Sequence, residues 1–365
     1  MGRMLVVWFF CLVAPQVLAA PVATFDRSLW PDSLASHPGF NVASRREILN
    51  FASELLASEL VSPDEWPSRL GLAQVDMLAI ERYRTQTWLR LLAAYQAGSR
   101  ECQNCPHPDS VAQLRQLVLQ PRPVPARLQP WLAESRLFHA RYLQEQLTLA
   151  ANSAVASSEI ATLSADELTG FELMDGEFLL SFDDGPTLQG GSTWRTTHVL
   201  AQFGQNAVFF VLGDALAQRL SVSAETLARE YGENCVASHG MRHESYPELA
   251  NWRDSLREAR HLLNAIPEVT RLSWFRPPGG YRTAEMSGQV FERIVLWNID
   301  GQDLSPSLSS QQLADRLTTL MLLWRKGIIL LHDTQPKAAN ALPGLFRSLQ
   351  TSPVRWVDCR TFADR

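Results

Sequence analysis

No basic stripe runs through this sequence: 33 Lys and Arg face 38 Asp and Glu, a formal charge of -5 over 365 residues. A nucleic-acid-binding chain needs a concentrated positive surface, so nucleic acid is not an expected partner. Internal repeats and low-complexity tracts are also missing, which excludes a repeat array or a biased tail as the organising feature. Nor is there an uninterrupted apolar run of the ~20 residues a bilayer span requires. The nearest approach follows Arg3, reaches about Val13 and is interrupted by Pro15 and Gln16. Cysteine is scarce, at five residues.

What is present at the N-terminus is one positive charge, an apolar stretch and the small residues Ala19 and Ala20, the anatomy of a cleaved secretory signal. Residues 1–19 are therefore expected to be removed on export, leaving a periplasmic or secreted protein with no stable membrane anchor and a charge one unit more negative. Cys11 lies inside the apolar run rather than after the cleavage pattern, so a lipid anchor is not expected. Cys102, Cys105, Cys235 and Cys359 remain, an even number in an oxidising compartment, with three possible pairings. The Cys102-x-x-Cys105 pair is compatible with a redox motif, half a zinc site or a local disulfide between two helices. With no second such pair and no preceding strand, the disulfide is preferred.

The length allows two domains, and 46% apolar residues suffice for real cores. From about Asn41 to Ser153 apolar residues recur at helical spacing, as with Ile48, Phe51 and Leu55, or Met77, Ile80, Trp88 and Leu91. Prolines at 63, 106, 108, 121, 123 and 125 punctuate the segments. Trp66, Trp88 and Trp131 read as core. Beyond a polar stretch the pattern changes: seven short β-branched or aromatic runs, EFLLSFDD, NAVFFVLG, NCVASHG, LSWFRPPGG, RIVLWNID, GIILLHD and VRWVDC, alternate with helical segments. This predicts an α/β fold, an incomplete (β/α) barrel of about seven parallel strands after an all-helical domain, with a doubly wound open sheet as the alternative. The expected boundaries are a signal at 1–19, a helical domain at 20–165 and a catalytic domain at 166–365.

In parallel α/β barrels the active site forms at the C-terminal ends of the strands, and polar residues gather there: Asp183-Asp184, Ser238-His239-Gly240-Met241-Arg242-His243, Arg276-Pro277-Pro278-Gly279-Gly280, Asp300-Gly301-Gln302-Asp303 and His332-Asp333. Singly, each has a plain explanation. Asp-Gly-Pro is a good turn former; His239-x-x-x-His243 puts both imidazoles on one face if the segment is helical, a common way to hold a metal, yet helical surfaces carry such pairs by chance; and a lone His332 after four aliphatics suits a core. Two adjacent carboxylates at the end of a buried strand, however, need a metal, a cation or a proton to offset them. Five coincidences at five strand ends are improbable together.

The ordered set SFDDG, SHGMRH, RPPGG, DGQDL and LLH resembles the five motifs of the polysaccharide deacetylase, or NodB-homology, domain of carbohydrate esterase family 4, over roughly residues 170–365. The resemblance implies a distorted (β/α) barrel that removes N-acetyl groups from an amino-sugar polymer, and the helical half resembles no named family. It further implies one divalent metal, zinc above all, with cobalt or nickel compatible with imidazole and carboxylate ligands, held by Asp184, His239 and His243. Asp183 is then the general base, oriented and charge-balanced by Arg276. The backbone N–H of Gly279 stabilises the oxyanion, and His332, held by Asp303, protonates the leaving nitrogen. Tyr281 and Leu304 shape the sugar groove. The implied partner is an N-acetylated polysaccharide or peptidoglycan; protein partners are not indicated.

Three positions depart from the pattern. Gly240 stands where Ser or Thr is usual, removing a loop-stabilising hydroxyl. Gly279 stands where an aromatic is usual, with Tyr281 two residues later, and Leu304 replaces a usual Trp. A non-catalytic glycan-binding or scaffold protein on the same fold, and a hydrolase of O-acetyl esters or small amides, therefore stay open beside the deacetylase. The loop TLQGGSTWRTT places Trp194 either over the site mouth against a sugar or packed on the barrel. Cys235 shares the strand parity of His239, so it either approaches the site or pairs elsewhere.

Overall fold

The computed structural model describes residues 22–121, 123–152 and 160–362. The expected signal segment, with Cys11, lies outside the described residues. Five helices come first: α1 (His37–Ser58), α2 (Trp66–Leu70), α3 (Met77–Ser99), α4 (Val111–Leu119) and α5 (Gln129–Ala151). Then follow β1 (Glu177–Asp183), α6 (Ser192–Gln202), β2 (Val208–Val211), α7 (Gly213–Leu220), α8 (Ala224–Tyr231), β3 (Cys235–Ser238), α9 (Trp252–Asn264), β4 (Thr270–Phe275), α10 (Ala284–Gln289), β5 (Arg293–Ile294) and β6 (Ile299–Asp300). The chain ends with α11 (Ser310–Trp324), β7 (Gly327–His332), α12 (Pro336–Ser348), β8 (Arg355–Trp356) and α13 (Cys359–Phe362). Side-chain caps start α1, α3 and α11: Ser36 and Asp76 accept from Gly39 N and Ala79 N, and Ser309 with Gln312 closes a capping box on α11.

All strand pairs are parallel, in the order β5-β4-β3-β2-β1-β7-β6, with β8 beside the start of β1. The sheet curls into an incomplete barrel. Every residue of β1 is buried, as a strand covered on both faces must be. Leu179 joins Val208, Phe210, Cys235, Ala237, Ile328 and Leu330 inside the barrel, whereas Phe178, Leu180 and Phe182 face the helices outside. Ser181 and Asp183 share the inward parity of Leu179. Register pairs Asp183 with both Phe210 and His332, and Ser238 with Val211 and Phe275. The polar strand ends thus open on one rim.

RIVLWNID, expected as one strand, is two. Its ends pair with opposite edges of the sheet, β5 with β4 and β6 with β7, and residues 295–298 cross the seam between them. There the Val295 and Leu296 carbonyls accept from the Arg276 guanidinium, at 3.0 Å each, and the Asn298 side chain binds Ile328 N and Lys326 O. The amides there still find backbone partners, Val295 N on Phe275 O and Leu296 N on Leu168 O, and with the run divided between the two edges eight strands stand where seven were expected.

The helical region packs on the barrel through α11, which is buried from Leu313 to Trp324. Ser44 Oγ donates to Leu322 O at 2.7 Å, Trp324 Nε1 to the Tyr142 hydroxyl at 3.0 Å, and Arg316 pairs with Glu145. Arg325, in the left-handed region at φ 61°, reaches Asp175, Asn41 and Ser44. One apolar cluster runs continuously through both regions.

Two disulfides answer the pairing question: Cys102–Cys105 is a local bridge after α3, and Cys235–Cys359 ties the start of β3 to α13. Cys235 does share the inward face of His239, but at the opposite end of the barrel. Its bridge closes a sequence separation of 124, which chain-entropy reasoning values at about 2–5 kcal/mol. Cys359→Ser should lower urea-unfolding stability by about that amount and by more than Cys105→Ser; an equal or smaller loss for Cys359→Ser contradicts this account.

Candidate active site

At the end of β1, Asp183 is buried and its Oδ1 accepts from Arg276 Nη1 at 2.7 Å. A regular strand would send the next side chain to the opposite face. Instead Asp184 adopts φ 77°, a left-handed conformation that turns the chain at once, and both carboxylates serve one opening. Gly185 follows because a Cβ there would run into the Asp333 carboxylate.

His239, at the end of β3, is buried, and its Nδ1 lies 2.7 Å from the Arg276 carbonyl. Since the carbonyl can only accept, Nδ1 carries the hydrogen and Nε2 offers its lone pair. That Nε2 stands 3.4 Å from Asp184 Oδ1 and 3.8 Å from Asp183 Oδ2. The His239–His243 span is not helical but a run of bends after β3. His243, half exposed, reaches back so that its Nε2 is 3.9 Å from the same Asp184 oxygen.

Donor atoms of Asp184, His239 and His243 all lie within 4.8 Å of one another. Tetrahedral ligands about 2.0–2.1 Å from zinc stand roughly 3.3 Å apart, so small adjustments bring this set around one ion. Asp184 Oδ1 is buried without a hydrogen-bond partner among the described residues, which a cation would resolve. Burial pushes the Asp184 carboxyl up, but the three imidazoles of His239, His332 and His243 together hold it below its ordinary value. The donor set fits a divalent metal.

Arg276 is fully buried. Besides Asp183 it donates to Ser181 Oγ at 2.9 Å and to the two seam carbonyls, and it lies over the Phe210 ring at 4.0 Å. His332 Nδ1 is 2.9 Å from Asp303 Oδ1, while Asp303 Oδ2 accepts from His332 N at 2.9 Å. Burial disfavours the imidazolium, but the hydrogen bond and charge of Asp303, with Asp183 and Asp184 adding to them, raise its pKa to about 9. Gly279, at φ 60°, leaves room for the Tyr281 ring, which covers the space its side chain would take. Tyr281 and Leu304 are exposed beyond β4 and β6.

The structure thus joins Asp183, Asp184, His239, His243 and Arg276 in one contact group, with the His332–Asp303 pair beside it. Trp194 is not over this group. It stacks on His198 at 5.1 Å and 13° and lines an outer groove of about 420 Å³ with Arg229 and Arg360. Sequence reasoning passed over Ser181, whose signal was a polar residue two before Asp183 in an apolar strand. It also assigned no part to Asp333, whose carboxyl is pushed up to about 7 by burial.

Comparison with known proteins now bears on the site. Residues 173–292 match the polysaccharide deacetylase family model. The likeness expected from the motifs is thereby shown for that region. Over 173 residues the chain is 28% identical to the peptidoglycan-N-acetylmuramic acid deacetylase PdaC of Bacillus subtilis, a match covering 47% of this chain and 35% of that protein. Among solved structures, PdaC aligns at 23% identity with a TM-score of 0.44, over 52% of this chain and 92% of that one. The Bc1960 peptidoglycan N-acetylglucosamine deacetylase aligns at 22% with a TM-score of 0.46, over 53% and 90%. The BA3943 pseudoenzyme of Bacillus anthracis aligns at 19% with a TM-score of 0.42, over 53% and 66%.

Two measurements test the geometry. In zinc titrations Asp184→Asn should lose binding by at least tenfold, in the range typical of ligand and supporting-shell losses, while Asp183→Asn retains it; equal losses contradict the assignment of separate tasks. For His332, a folded pKa above the ordinary 6.5 means a stabilising contribution complete below pH 6.5 and lost as pH rises through about 9. In metal-free protein, an NMR titration should place the parent ring near that upper value and the Asp303→Asn ring well below it; coincident curves contradict the pairing.

Proposed function

We propose that the chain is an exported, metal-dependent deacetylase that hydrolyses the N-acetyl groups of amino sugars in an extracytoplasmic polysaccharide and releases acetate. The observation that carries this reading is one constellation at the strand ends: a two-imidazole, one-carboxylate donor set beside a second carboxylate that is paired with a buried arginine. Its likeness to the peptidoglycan deacetylase PdaC supports a cell-wall glycan as substrate. Zinc is the proposed ion, with cobalt and nickel compatible with the same ligands. Bound there, it supplies Lewis acidity to the acetamide carbonyl and lowers the pKa of a water molecule.

The chain's own groups do the rest. Asp183 Oδ2, the oxygen not engaged by Arg276, accepts the proton of the water that attacks the carbonyl carbon. Arg276 pairs with that carboxylate through its other oxygen and fixes its direction. The Gly279 amide hydrogen-bonds the oxygen that becomes negative as the new C–O bond forms. His332, charged through Asp303, gives its proton to the sugar nitrogen as the C–N bond breaks. One water is consumed, and acetate and a free amine result. Tyr281 and Leu304 face the sugar from the rim.

Export is proposed from residues 1–19 and is supported by the two disulfides. No helix among the described residues is long and apolar enough to cross a membrane. The region up to about residue 165 is proposed as a helical domain docked on the catalytic region at 166–365.

Peptidoglycan, chitin oligomers, poly-N-acetylglucosamine and acetyl esters provide the test. Acetate should appear from at least one N-acetylated glycan, vanish with a chelator, return with zinc and fall by about 10²-fold or more in Asp183→Asn. No acetate from any glycan with metal present overturns the proposal. Release from the esters alone replaces it with the ester hydrolase, and glycan binding that persists without turnover replaces it with the binding protein.

A further inference from the structure

We infer that Tyr246 and Ser255 are positioning residues for His243, the exposed imidazole of the donor set; the inference rests on the metal-site reading above. Because the span from His239 to His243 is not helical, its backbone groups have no partners within the segment and must find them elsewhere. His239 N donates to Val211 O at 2.9 Å and Gly240 N to Ser238 Oγ at 3.1 Å. The Gly240 and Met241 carbonyls accept from Gly213 N and Asp214 N, at 2.8 and 3.0 Å. The amide of Met241, midway between the two imidazoles, reaches only a side chain: Ser255 Oγ on α9, at 3.3 Å. That oxygen is in turn 2.8 Å from the hydroxyl of Tyr246, whose side chain is fully buried.

Gly240 makes this clamp possible. It sits at φ 85°, and a Cβ on it would collide with the Tyr246 hydroxyl. The hydroxyl expected at residue 240 is thus replaced in space by one arriving from residue 246. The two imidazoles differ in how they are held. His239 is buried and tied through Nδ1 to the Arg276 carbonyl. His243 is half exposed, and its ring makes no hydrogen bond among the described residues; it has the 3.9 Å approach to Asp184 and an edge contact with the His239 ring, centroids 5.6 Å apart. Its aim is set by the backbone of its own loop, and the Tyr246–Ser255 pair fixes the middle of that loop.

Zinc affinity of the full chain, measured by competition with a chromophoric chelator, tests the clamp without reference to activity. Tyr246→Phe and Ser255→Ala should each weaken zinc binding by about 10–100-fold, the usual effect of losing an outer partner of a ligand, while metal-free unfolding stays cooperative. Ser255→Thr, which retains the hydroxyl, should bind like the parent. With His243 already replaced by Ala, adding Tyr246→Phe should change affinity no further. Folded Tyr246→Phe and Ser255→Ala proteins that bind zinc within about twofold of the parent overturn the inference, as does an undiminished loss in the His243→Ala background. Should Tyr246→Phe fail to fold, Ser255→Ala decides. A parent that binds no zinc removes the metal reading itself, a different outcome from a parent that binds and variants that match it.

Discussion

The buried guanidinium of Arg276 is the contact on which the site and the barrel seam both depend. It holds Asp183 Oδ1 and Ser181 Oγ, and it satisfies the carbonyls of Val295 and Leu296 where the chain crosses between sheet edges. Its own carbonyl sets the tautomer of His239. A fully buried charge is tolerable only when paired and hydrogen-bonded, and this one has a carboxylate on one side and a ring face on the other. The planar fork of donors suits arginine and not lysine, whose three donors sit on one point charge. Burial lowers the guanidinium pKa, and Asp183 opposes that fall.

Around that centre the carboxylates are sorted by environment. Asp183 faces an arginine, Asp184 faces imidazoles, and Asp303 holds a protonated histidine. Asp333, buried behind the Asp184–Gly185 turn, is pushed toward neutrality. Four acids on neighbouring strand ends thereby meet four different surroundings without leaving one rim.

The two glycines that depart from the family pattern share one physical answer. At Gly240 and at Gly279 the backbone has positive φ, and in each case a tyrosine from further along the chain fills the space a side chain would have taken, Tyr246 in the first and Tyr281 in the second. Read as a string, the sequence shows only the loss of a hydroxyl and of an aromatic. The space is occupied by residues six and two positions away; Tyr281 stood close enough to be noticed in the string, whereas nothing in local order pointed to Tyr246.

Much was nonetheless open to reading from the sequence alone. Alternation of β-branched runs with helical segments dictated a parallel α/β sheet, because two-period and 3.6-period patterns bury different faces. The gathering of carboxylates and histidines on one rim was legible too, because a parallel sheet sends its strand ends to one side. What only the tertiary structure decided were features set by distant partners: the break of RIVLWNID at the seam, the non-helical path from His239 to His243, the placing of Trp194 in an outer groove and the Cys235–Cys359 bridge at the far end of the barrel. Each depends on which groups meet across sequence separations of tens to hundreds of residues, and hydrogen bonds, ion pairs and close packing act on that proximity in space, which periodicity along the chain does not encode.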